Sequence, residues 1–383
     1  MRNYHTKPNI IYMQNQHLIY QIGITLVKGI GNIIAKQILE NLGDPEFFFK
    51  EKPRTLERIP GISAKVAQEI KNPEVLKRAE KEVAFIEKNK IQTLFITEPN
   101  YPQRIKEFVD SPVMLYYRGN ADLNTSKIIS IVGTRHATPY GKEVTQVILK
   151  DFAAVYPDTL VVSGLAYGID IAAHRAALKE NLPTVGVLAH GLDRIYPYQH
   201  RATAIEMLNN GGLLTDFISE TNPDRQNFVK RNRIVAGISD CTIVVESAVK
   251  GGALITANIA NSYNKDIFAI PGKNNDLYSQ GCNKLIKEKK AALVENAKDI
   301  MMEMCWDKMQ EENKPQVIQR TIFCDLSPEE QAVMDILSKT ESMHLNILAI
   351  ELNMPVSKLS VTLFDMEMNG IIRNMPGGMY KVI

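Results

Sequence analysis

Basic side chains stand next to several of the short apolar runs of this sequence. Arg135 comes soon after the run IISIV, Lys250 follows the run TIVV by a short loop, and residues 227–233 read NFVKRNR. Guanidinium and ammonium groups bind phosphate, and an aromatic ring such as Phe228 offers a nucleic-acid base a face on which to stack. If these residues share one edge of a sheet, they predict a groove that follows a phosphate backbone.

Glycines end several of the apolar runs and can bring backbone amides close to the same phosphate. They stand in the strings IVGTR, SGLAYGID and IPG. Amides at tight turns and at helix N-termini attract anions, although a sharp turn after a strand explains any one of these glycines equally well. The sequence contains no G-x-G-x-x-G or Walker A pattern. Neither a dinucleotide nor a nucleoside triphosphate is therefore the expected ligand, and we expect no cofactor.

Asp170 and His174 stand four residues apart in GIDIAAH, so they face the same side of a helix. Such a pair can act as acid and base. We favour a simpler interpretation, in which Asp170 stabilises a helix N-terminus and His174 is held by packing or a hydrogen bond. No Ser-His-Asp arrangement and no metal-ligand cluster accompanies the pair, so we predict no catalytic residues and no metal site.

The order of the elements predicts how these side chains are positioned. Between residues 127 and 303, helical patterns alternate with six short β-branched runs: KIISIVG, TLVVSG, PTVGVLAH, GGLLTDF, CTIVVES and KDIFAIPG. The intervening helices are predicted to begin near Tyr140, Ile169, Gln199, Gln226, Leu254 and Asn283. Near-continuous apolar strands separated by helices are typical of an α/β domain with a doubly wound parallel sheet, which is Rossmann-like. Ligands bind such sheets beyond the carboxyl ends of the strands, where the basic residues are expected to converge.

Residues 1–90 are predicted to form a helical domain in which two segments resemble each other: LVKGIGNIIAKQIL and RIPGISAKVAQEI. Both place a glycine turn before a helix, and the pair resembles tandem helix-hairpin-helix units of a SAM-like domain. Amides freed by the Gly29–Ile30–Gly31 turn can meet a phosphate, but the glycines can also serve only the close packing of two helices. Residues 91–126 are interpreted as a connector.

Residues 304–325 are predicted to be a linker, and residues 326–383 a separate winged helix. The string SPEEQAVMDIL offers Ser327 as a helix cap, Pro328 at the first helical position and Glu330 three residues after the cap. Two further helical patterns follow, and then two short strand patterns joined by PGG. Three helices and a two-stranded wing are typical of a winged helix-turn-helix.

Composition excludes several classes of protein. The 383 residues include 45 basic and 43 acidic side chains, a net charge of +2, which excludes a polybasic binder but not a local basic patch. The charge is uneven, because residues 1–90 carry 15 basic and 10 acidic side chains and residues 325–383 carry 4 and 8. No apolar run approaches about 18 residues, so no membrane segment is expected. The 4 cysteines form no CxxC pair, and no signal peptide is recognisable, so we expect a cytoplasmic protein without disulfides.

Six strings of the central region together resemble the DNA-processing protein A (DprA/Smf) family. They cover about residues 127–300 and read VGTRHATPYG, SGLAYGIDIAAHRAAL, GLDRIYPYQH, FVKRNRIVAGISDCTIVVES, GGALITANIA and IPGKNNDLYSQGCNKLI. The resemblance implies a single-stranded DNA-binding protein without catalytic activity, which protects incoming DNA and loads the RecA recombinase on it during natural transformation. It also implies a homodimer formed through the Rossmann-like domain.

Carried over residue by residue, the resemblance implies a DNA-binding pocket made by Arg135, Ser163, Gly164, Phe228, Lys230, Arg231, Asn232, Arg233 and Lys250. The sequence departs from the family's pattern at four places. Val229 stands where Pro is common, and Gly251–Gly252 replaces a Ser-Gly pair. Ala189–His190 replaces a glycine-containing turn, and residues 215–217 read TDF where Ser-Glu is usual. The last two departures concern contacts at the rim of the pocket.

Two other functions compete with this interpretation. A nucleotide-processing hydrolase of the lysine-decarboxylase-like (LOG) group shares a similar fold and carries a PGG-x-GT-x-x-E stretch, whereas residues 250–257 read KGGALITA and lack the Gly-Thr step and the Glu. A duplex-binding transcription factor would use the predicted recognition helix of the winged helix, residues 356–369. That helix has one basic residue, Lys358, against Asp365 and Glu367, which is unfavourable beside phosphates. A role of the winged helix in protein contacts is the better expectation.

Overall fold

The computed structural model describes residues 7–306, 326–340, 342–375 and 377–382. The chain divides into two compact units, residues 1–307 and residues 308–383. Residues 307–325, which make up most of the predicted linker and include Cys324, lie outside the described residues.

The first unit begins with six helices and continues into a sheet of nine strands. The helices are α1 Lys7–Leu26, α2 Asn32–Leu42, α3 Pro45–Lys50, α4 Pro53–Leu56, α5 Ala64–Ile70 and α6 Pro73–Asn89. The strands are β1 Gln92–Phe95, β2 Met114–Gly119, β3 Ile128–Val132, β4 Leu160–Ser163, β5 Thr184–Val187, β6 Gly211–Thr215, β7 Cys241–Val244, β8 Asp266–Ala269 and β9 Ala292–Leu293. The helices between and after the strands are α7 Gln103–Lys106, α8 Pro139–Val155, α9 Ile169–Lys179, α10 Arg201–Met207, α11 Arg225–Ile238, α12 Gly252–Ser262, α13 Gln280–Lys287 and α14 Ala297–Glu303.

The sheet confirms the predicted fold class. Its strand order is β1-β2-β6-β5-β4-β3-β7-β8-β9, and the strands from β3 to β9 pair in parallel. The six predicted strands are β3 to β8, and every predicted helix begins within three residues of the observed start. From β3 the chain moves to one side through β4, β5 and β6, and then returns to β7 on the other side. The switch point between β3 and β7 is where such sheets bind ligands.

The segment 91–126, predicted to be a connector, is part of the sheet, which corrects that prediction. Strand β1 pairs antiparallel with β2, and β2 pairs antiparallel with β6. The approach of β2 to β6 depends on small residues, because a Cβ at Gly119 would overlap the backbone of Gly211 and Gly212. These strands are short and lie in a proline-containing segment, so the alternation that identifies a strand is weak.

The first unit also continues beyond residue 303, where the linker was predicted to start. Trp306 is 7% exposed, and its ring packs edge-on against Phe152 of α8 and against Tyr156, with centroid distances of 6.1 Å in both cases. The aromatic cluster fixes the end of α14 against α8 through apolar burial.

The two N-terminal segments that resemble each other both form a glycine turn between helices, and the two turns pack together. Gly29, between α1 and α2, has a φ of 95°, and Gly61, between α4 and α5, has a φ of 87°. A Cβ at Gly29 would lie 2.9 Å from the Val66 side chain, and one at Gly61 would lie 3.2 Å from Ile34. Both glycines are thus required by the turn and by close packing of the two turns.

A buried carboxylate attaches these helices to the sheet. Glu82 of α6 is 2% exposed and accepts hydrogen bonds from Arg78 (2.9 Å) and from the amide of Ser219 (2.9 Å), which lies in the loop after β6. Arg78 also donates to the Ser219 carbonyl at 2.6 Å. The bonds satisfy a charge that would be costly to bury alone.

The second unit is a winged helix, as predicted. Its elements are α15 Pro328–Leu337, β10 Met343–His344, α16 Leu345–Glu351, α17 Val356–Met368, β11 Ile372–Met375 and β12 Met379–Val382. Ser327 and Glu330 form the predicted capping box. Strands β11 and β12 pair antiparallel, and β10 extends this wing by pairing with β12. Gly377 and Gly378 have positive φ in the turn, and Pro376 lies outside the described residues.

In the parts of the chain that the structure describes, no single helix is both long and apolar enough to cross a membrane.

His174 is a neutral side chain inside the core. It is fully buried, and its Nδ1 lies 2.7 Å from the Thr184 hydroxyl. Burial lowers the pKa of His174 to about 3, with smaller contributions from the charges of His200 and Arg231. The interpretation of His174 as a packed, hydrogen-bonded residue is thus confirmed, since its ring does not reach the surface.

We expect Arg78→Ala to lower the free energy of unfolding by about 2–4 kcal/mol, because Glu82 would remain buried without its cation. Urea denaturation measures the change. Lys77→Ala on the same helix removes only an exposed partner of Glu74 and is the control, for which no change is expected. Equal stability of wild type and Arg78→Ala would show that Ser219 alone satisfies the carboxylate.

We expect His174 to make the fold sensitive to acid. Its pKa is about 3 in the folded protein and 6.5 in the unfolded chain, so the unfolded chain binds the additional proton as the pH falls below 6.5. Stability is therefore lost between these values. His174→Leu should lose about 3 kcal/mol less than wild type between about pH 6.5 and pH 4, measured by denaturation at each pH. Parallel curves for the two proteins would contradict this assignment.

Candidate nucleic-acid interface

The loops that follow β3 and β4 meet closely at the carboxyl edge of the sheet, beside the switch point. Gly168 has a φ of 81°, and a Cβ there would overlap the backbone of Thr134 and Arg135. The amide of Ile169, the first residue of α9, donates a hydrogen bond of 3.1 Å to the Thr134 carbonyl. Helix α9 therefore begins directly against the loop that carries Arg135.

Arg231 is the buried cation of this edge. Its side chain comes from α11, is 4% exposed, and donates a hydrogen bond of 2.8 Å to the carbonyl of Val187 at the end of β5. The guanidinium lies over Gly164, where any Cβ would overlap it. Glycine at position 164 therefore allows the arginine to reach the ends of the strands.

Asp170 supplies a negative charge close to Arg231. Its carboxylate accepts hydrogen bonds from the amides of Gly164 (3.2 Å) and Ala166 (3.4 Å). Burial raises the pKa of Asp170, and Arg231 opposes this rise. Burial lowers the pKa of Arg231, and Asp170 opposes this fall. Each group thus stabilises the charged form of the other.

Ser163 lies beneath this pair and does not reach the surface. It is fully buried, and its hydroxyl donates a hydrogen bond of 2.6 Å to the Ile131 carbonyl of β3. The bond joins the ends of β3 and β4, so Ser163 supports the loop that carries Gly164.

Phe228 lies close to two guanidinium groups. The Cζ atom of Arg135 is 5.2 Å from the ring centroid, and the Cζ atom of Arg231 is 6.0 Å from it. The ring of Tyr196 is a further neighbour, at a centroid distance of 6.0 Å. Phe228 and Arg231 are three residues apart on α11 and so share one face of the helix. Because Arg135 is exposed, its charge stays accessible to an anion beside the aromatic ring.

Two other basic residues of α11 lie on a different face, which corrects the expectation of one rim. Arg233 is two residues after Arg231, about 200° around the helix, and pairs with Asp110 at 2.8 Å. Lys230 and Arg233 line a second cleft, of about 380 Å³, together with Asp216. The structure therefore does not bring Lys230 and Arg233 together with Arg135.

The two remaining predicted residues occupy intermediate places. Asn232 is half-buried on α11 between the face of Arg231 and that of Arg233. Lys250 is exposed in the loop between β7 and α12, at the carboxyl end of the strand that neighbours β3. Its position is at the predicted edge of the sheet.

A second carboxylate at this edge caps a helix. Glu246 follows β7, is 1% exposed, and accepts hydrogen bonds from the amide of Thr138 (2.9 Å) and from the Thr138 hydroxyl. It therefore fixes the start of α8. In the described part of the chain, no group of three or more His, Cys, Asp or Glu side chains is arranged to hold a metal ion.

Sequence reasoning missed two neighbours of the predicted residues. Asp170 was interpreted only as a helix N-terminal charge. It also lies close enough to Arg231 to oppose the lowering of the pKa of that group by burial. Tyr196, which neighbours Phe228, comes from the loop after β5. A signal for Tyr196 was available, because an aromatic residue after a parallel strand lies at the same edge as the other loops.

Two family models match the chain. Residues 92–305 match the DNA recombination-mediator protein A model, and residues 324–378 match the DprA winged helix domain. The first match begins at β1, so the family's domain includes the two antiparallel strands that the sequence analysis assigned to a connector.

Curated relatives agree with these models. Protein Smf of Synechocystis is 34% identical over 287 residues, which are 72% of this chain and 69% of that protein. The DNA processing protein DprA of Bacillus subtilis is 38% identical over 215 residues, which are 56% of this chain and 71% of that protein.

Two solved structures are similar to this one. DNA processing protein A of Streptococcus pneumoniae gives a TM-score of 0.61 at 30% identity, covering 74% of this chain and 97% of that chain. DNA processing protein A of Helicobacter pylori gives a TM-score of 0.51 at 30% identity, covering 57% of this chain and 97% of that chain. That structure is described by its single-stranded DNA binding mode. Because the first model alone matches more than half of the chain and the second matches the winged helix, this chain belongs to the DNA recombination-mediator protein A family.

Proposed function

We propose that this chain binds single-stranded DNA at the carboxyl edge of its parallel sheet. The observation that carries the proposal is the ring of Phe228 close to the exposed Arg135 and the buried Arg231. A base stacks on the ring while the neighbouring phosphate meets Arg135. Such a site is tolerant of sequence, because every base has a face to stack.

The predicted residues divide into contacts and supports. Arg135, Phe228 and Lys250 are placed to touch the strand. Ser163, Gly164 and Arg231 are buried and hold the contacting residues in position. Lys230 and Arg233 line the second cleft, where Arg233 is already paired with Asp110, and Asn232 lies between the two faces. They contribute to binding only where the strand crosses to the second face of α11.

The family supports a role as a recombination mediator. The solved relative from Helicobacter pylori is described by its binding of single-stranded DNA. For this chain we propose the same ligand, followed by loading of the RecA recombinase on the bound strand in the cytoplasm during natural transformation. We also propose that the protein acts as a homodimer through its Rossmann-like domain.

We further propose that the site has no hydrolytic activity. Asp170 and Glu246, two buried carboxylates at the sheet edge, both accept hydrogen bonds from backbone amides of the loops around them. A general acid or base needs access to its substrate. These groups are oriented towards the protein backbone, which disfavours the nucleotide hydrolase considered from the sequence.

Duplex recognition by the winged helix is also disfavoured. Lys358, the single basic residue of α17, forms an ion pair with Glu329 of α15. The helix that would enter a DNA groove therefore offers no free cation, while its own carboxylates repel phosphate.

Phe228→Ala is expected to weaken binding of an oligothymidylate by about 1–3 kcal/mol, because a stacked base loses its platform. Phe228→Tyr keeps the ring and should bind like wild type. Fluorescence anisotropy with a labelled strand measures both, and the salt dependence of wild type should have a log–log slope of about −0.7 per phosphate contacted. Binding of duplex as tightly as single strand, or equal affinities of all three proteins, would disprove the proposed site.

Deletion of residues 326–383 is expected to leave single-strand affinity unchanged or slightly raised. The deleted residues carry 4 basic and 7 acidic side chains, so the deletion removes a negative field and no proposed contact. The same anisotropy assay at one fixed salt concentration compares the two proteins. Loss of binding by a truncated protein that is still folded would place the site in the winged helix instead.

A further inference from the structure

A cleft between α8 and α9 begins at Arg135 and extends beyond the site described above. Its volume is about 430 Å³. Arg135 and His136 stand at one end with Tyr167, which is 41% exposed. From there the cleft runs along both helices.

The cleft is lined by cations. Lys142 comes from α8, and Arg175 and Lys179 come from α9; together with Arg135 they place four positive charges around it. None of its lining residues is a carboxylate. Among the described residues none of these four cations takes part in an ion pair, and Arg175 donates only to the Thr203 hydroxyl at 3.3 Å. A cleft of one sign of charge concentrates anions.

The floor of the cleft is made of small residues. Gly168, Ala172 and Ala176 lie along α9 and its start, between the basic side chains of the two helices. A small residue at each turn leaves space between the two helices.

The spacing of the cations suits a chain of phosphates. Lys142 comes from α8 and Arg135 stands at the end of the cleft, while Arg175 and Lys179 are four residues apart on α9. Residues so spaced lie on one face, about 6 Å apart along the axis. The cations are therefore arranged along the cleft and not around one point, which favours a polymer over a single anion.

We propose that this cleft binds the phosphate backbone of the same single strand after it leaves the Phe228 platform. The proposal rests on the proposed function, because Arg135 is shared by the platform and the cleft. It adds a path for the bound strand, from the switch point outwards between α8 and α9. The contacts are to phosphates and carry no sequence preference.

The length of the strand separates the two proposals. A hexanucleotide is long enough to occupy the Phe228 platform alone, whereas a strand of about 20 nucleotides also reaches the cleft. The double variant Lys142→Ala/Lys179→Ala should bind the long strand about tenfold more weakly and the hexanucleotide as wild type does. Its salt slope with the long strand should be shallower by about 1.4, equivalent to two lost phosphates.

A matched control removes two lysines elsewhere. Lys150→Ala/Lys88→Ala takes one exposed lysine from α8, outside the cleft, and one from α6. It should bind both strands like wild type. Thermal melts of all three proteins verify the fold, and inorganic phosphate at constant ionic strength should not remove the advantage of the long strand.

Each other outcome is decisive. If wild type binds both strands and the cleft variant behaves like wild type, the cleft proposal is wrong and the Phe228 site stands. If the cleft and control variants lose affinity equally, or if the cleft variant loses affinity for both strand lengths, the effect is a general electrostatic one. The cleft proposal is then also wrong. Competition by inorganic phosphate would assign the cleft to a free anion. If wild type binds neither strand, the proposed function itself fails.

Discussion

The buried guanidinium of Arg231 is the interaction on which the functional edge depends. It reaches the strand ends only because residue 164 has no Cβ, and it is held there by the Val187 carbonyl and the charge of Asp170. Burying a cation is costly unless it is paired and hydrogen-bonded. Those bonds fix α11 against β4 and β5, and in this way they fix Phe228 beside Arg135.

Sequence periodicity predicted the parallel sheet well, because strands buried on both faces read as continuous apolar runs with glycines at their ends. It failed for β1 and β2, which have four to six residues and lie among prolines; β2 joins the sheet by pairing with β6, more than 90 residues away. Short strands of that kind are specified by tertiary pairing more than by local pattern.

The candidate site was predicted as a set of residues but not as a geometry. The string NFVKRNR places cations on every side of a helix, and only packing decides which of them face the strand ends. Helical spacing could have separated Arg231 from Arg233 in advance, since residues two apart point to nearly opposite sides. The pairing of Arg233 with Asp110, by contrast, depends on a loop whose course no local pattern reveals.

The distribution of charge explains how a nearly neutral chain can offer a surface to a polyanion. The net charge of +2 is a sum in which an acidic winged helix offsets the cations that the sheet topology brings to one edge. A phosphate responds to charges within about 8 Å, the screening length in physiological salt, and not to the total. Carboxylates at the same edge would cancel this local field if they faced outwards. Asp170 and Glu246 instead face backbone amides, where they organise helix starts and leave Arg135 as the accessible charge. The same two carboxylates that make the edge rigid are thus kept from opposing an incoming phosphate.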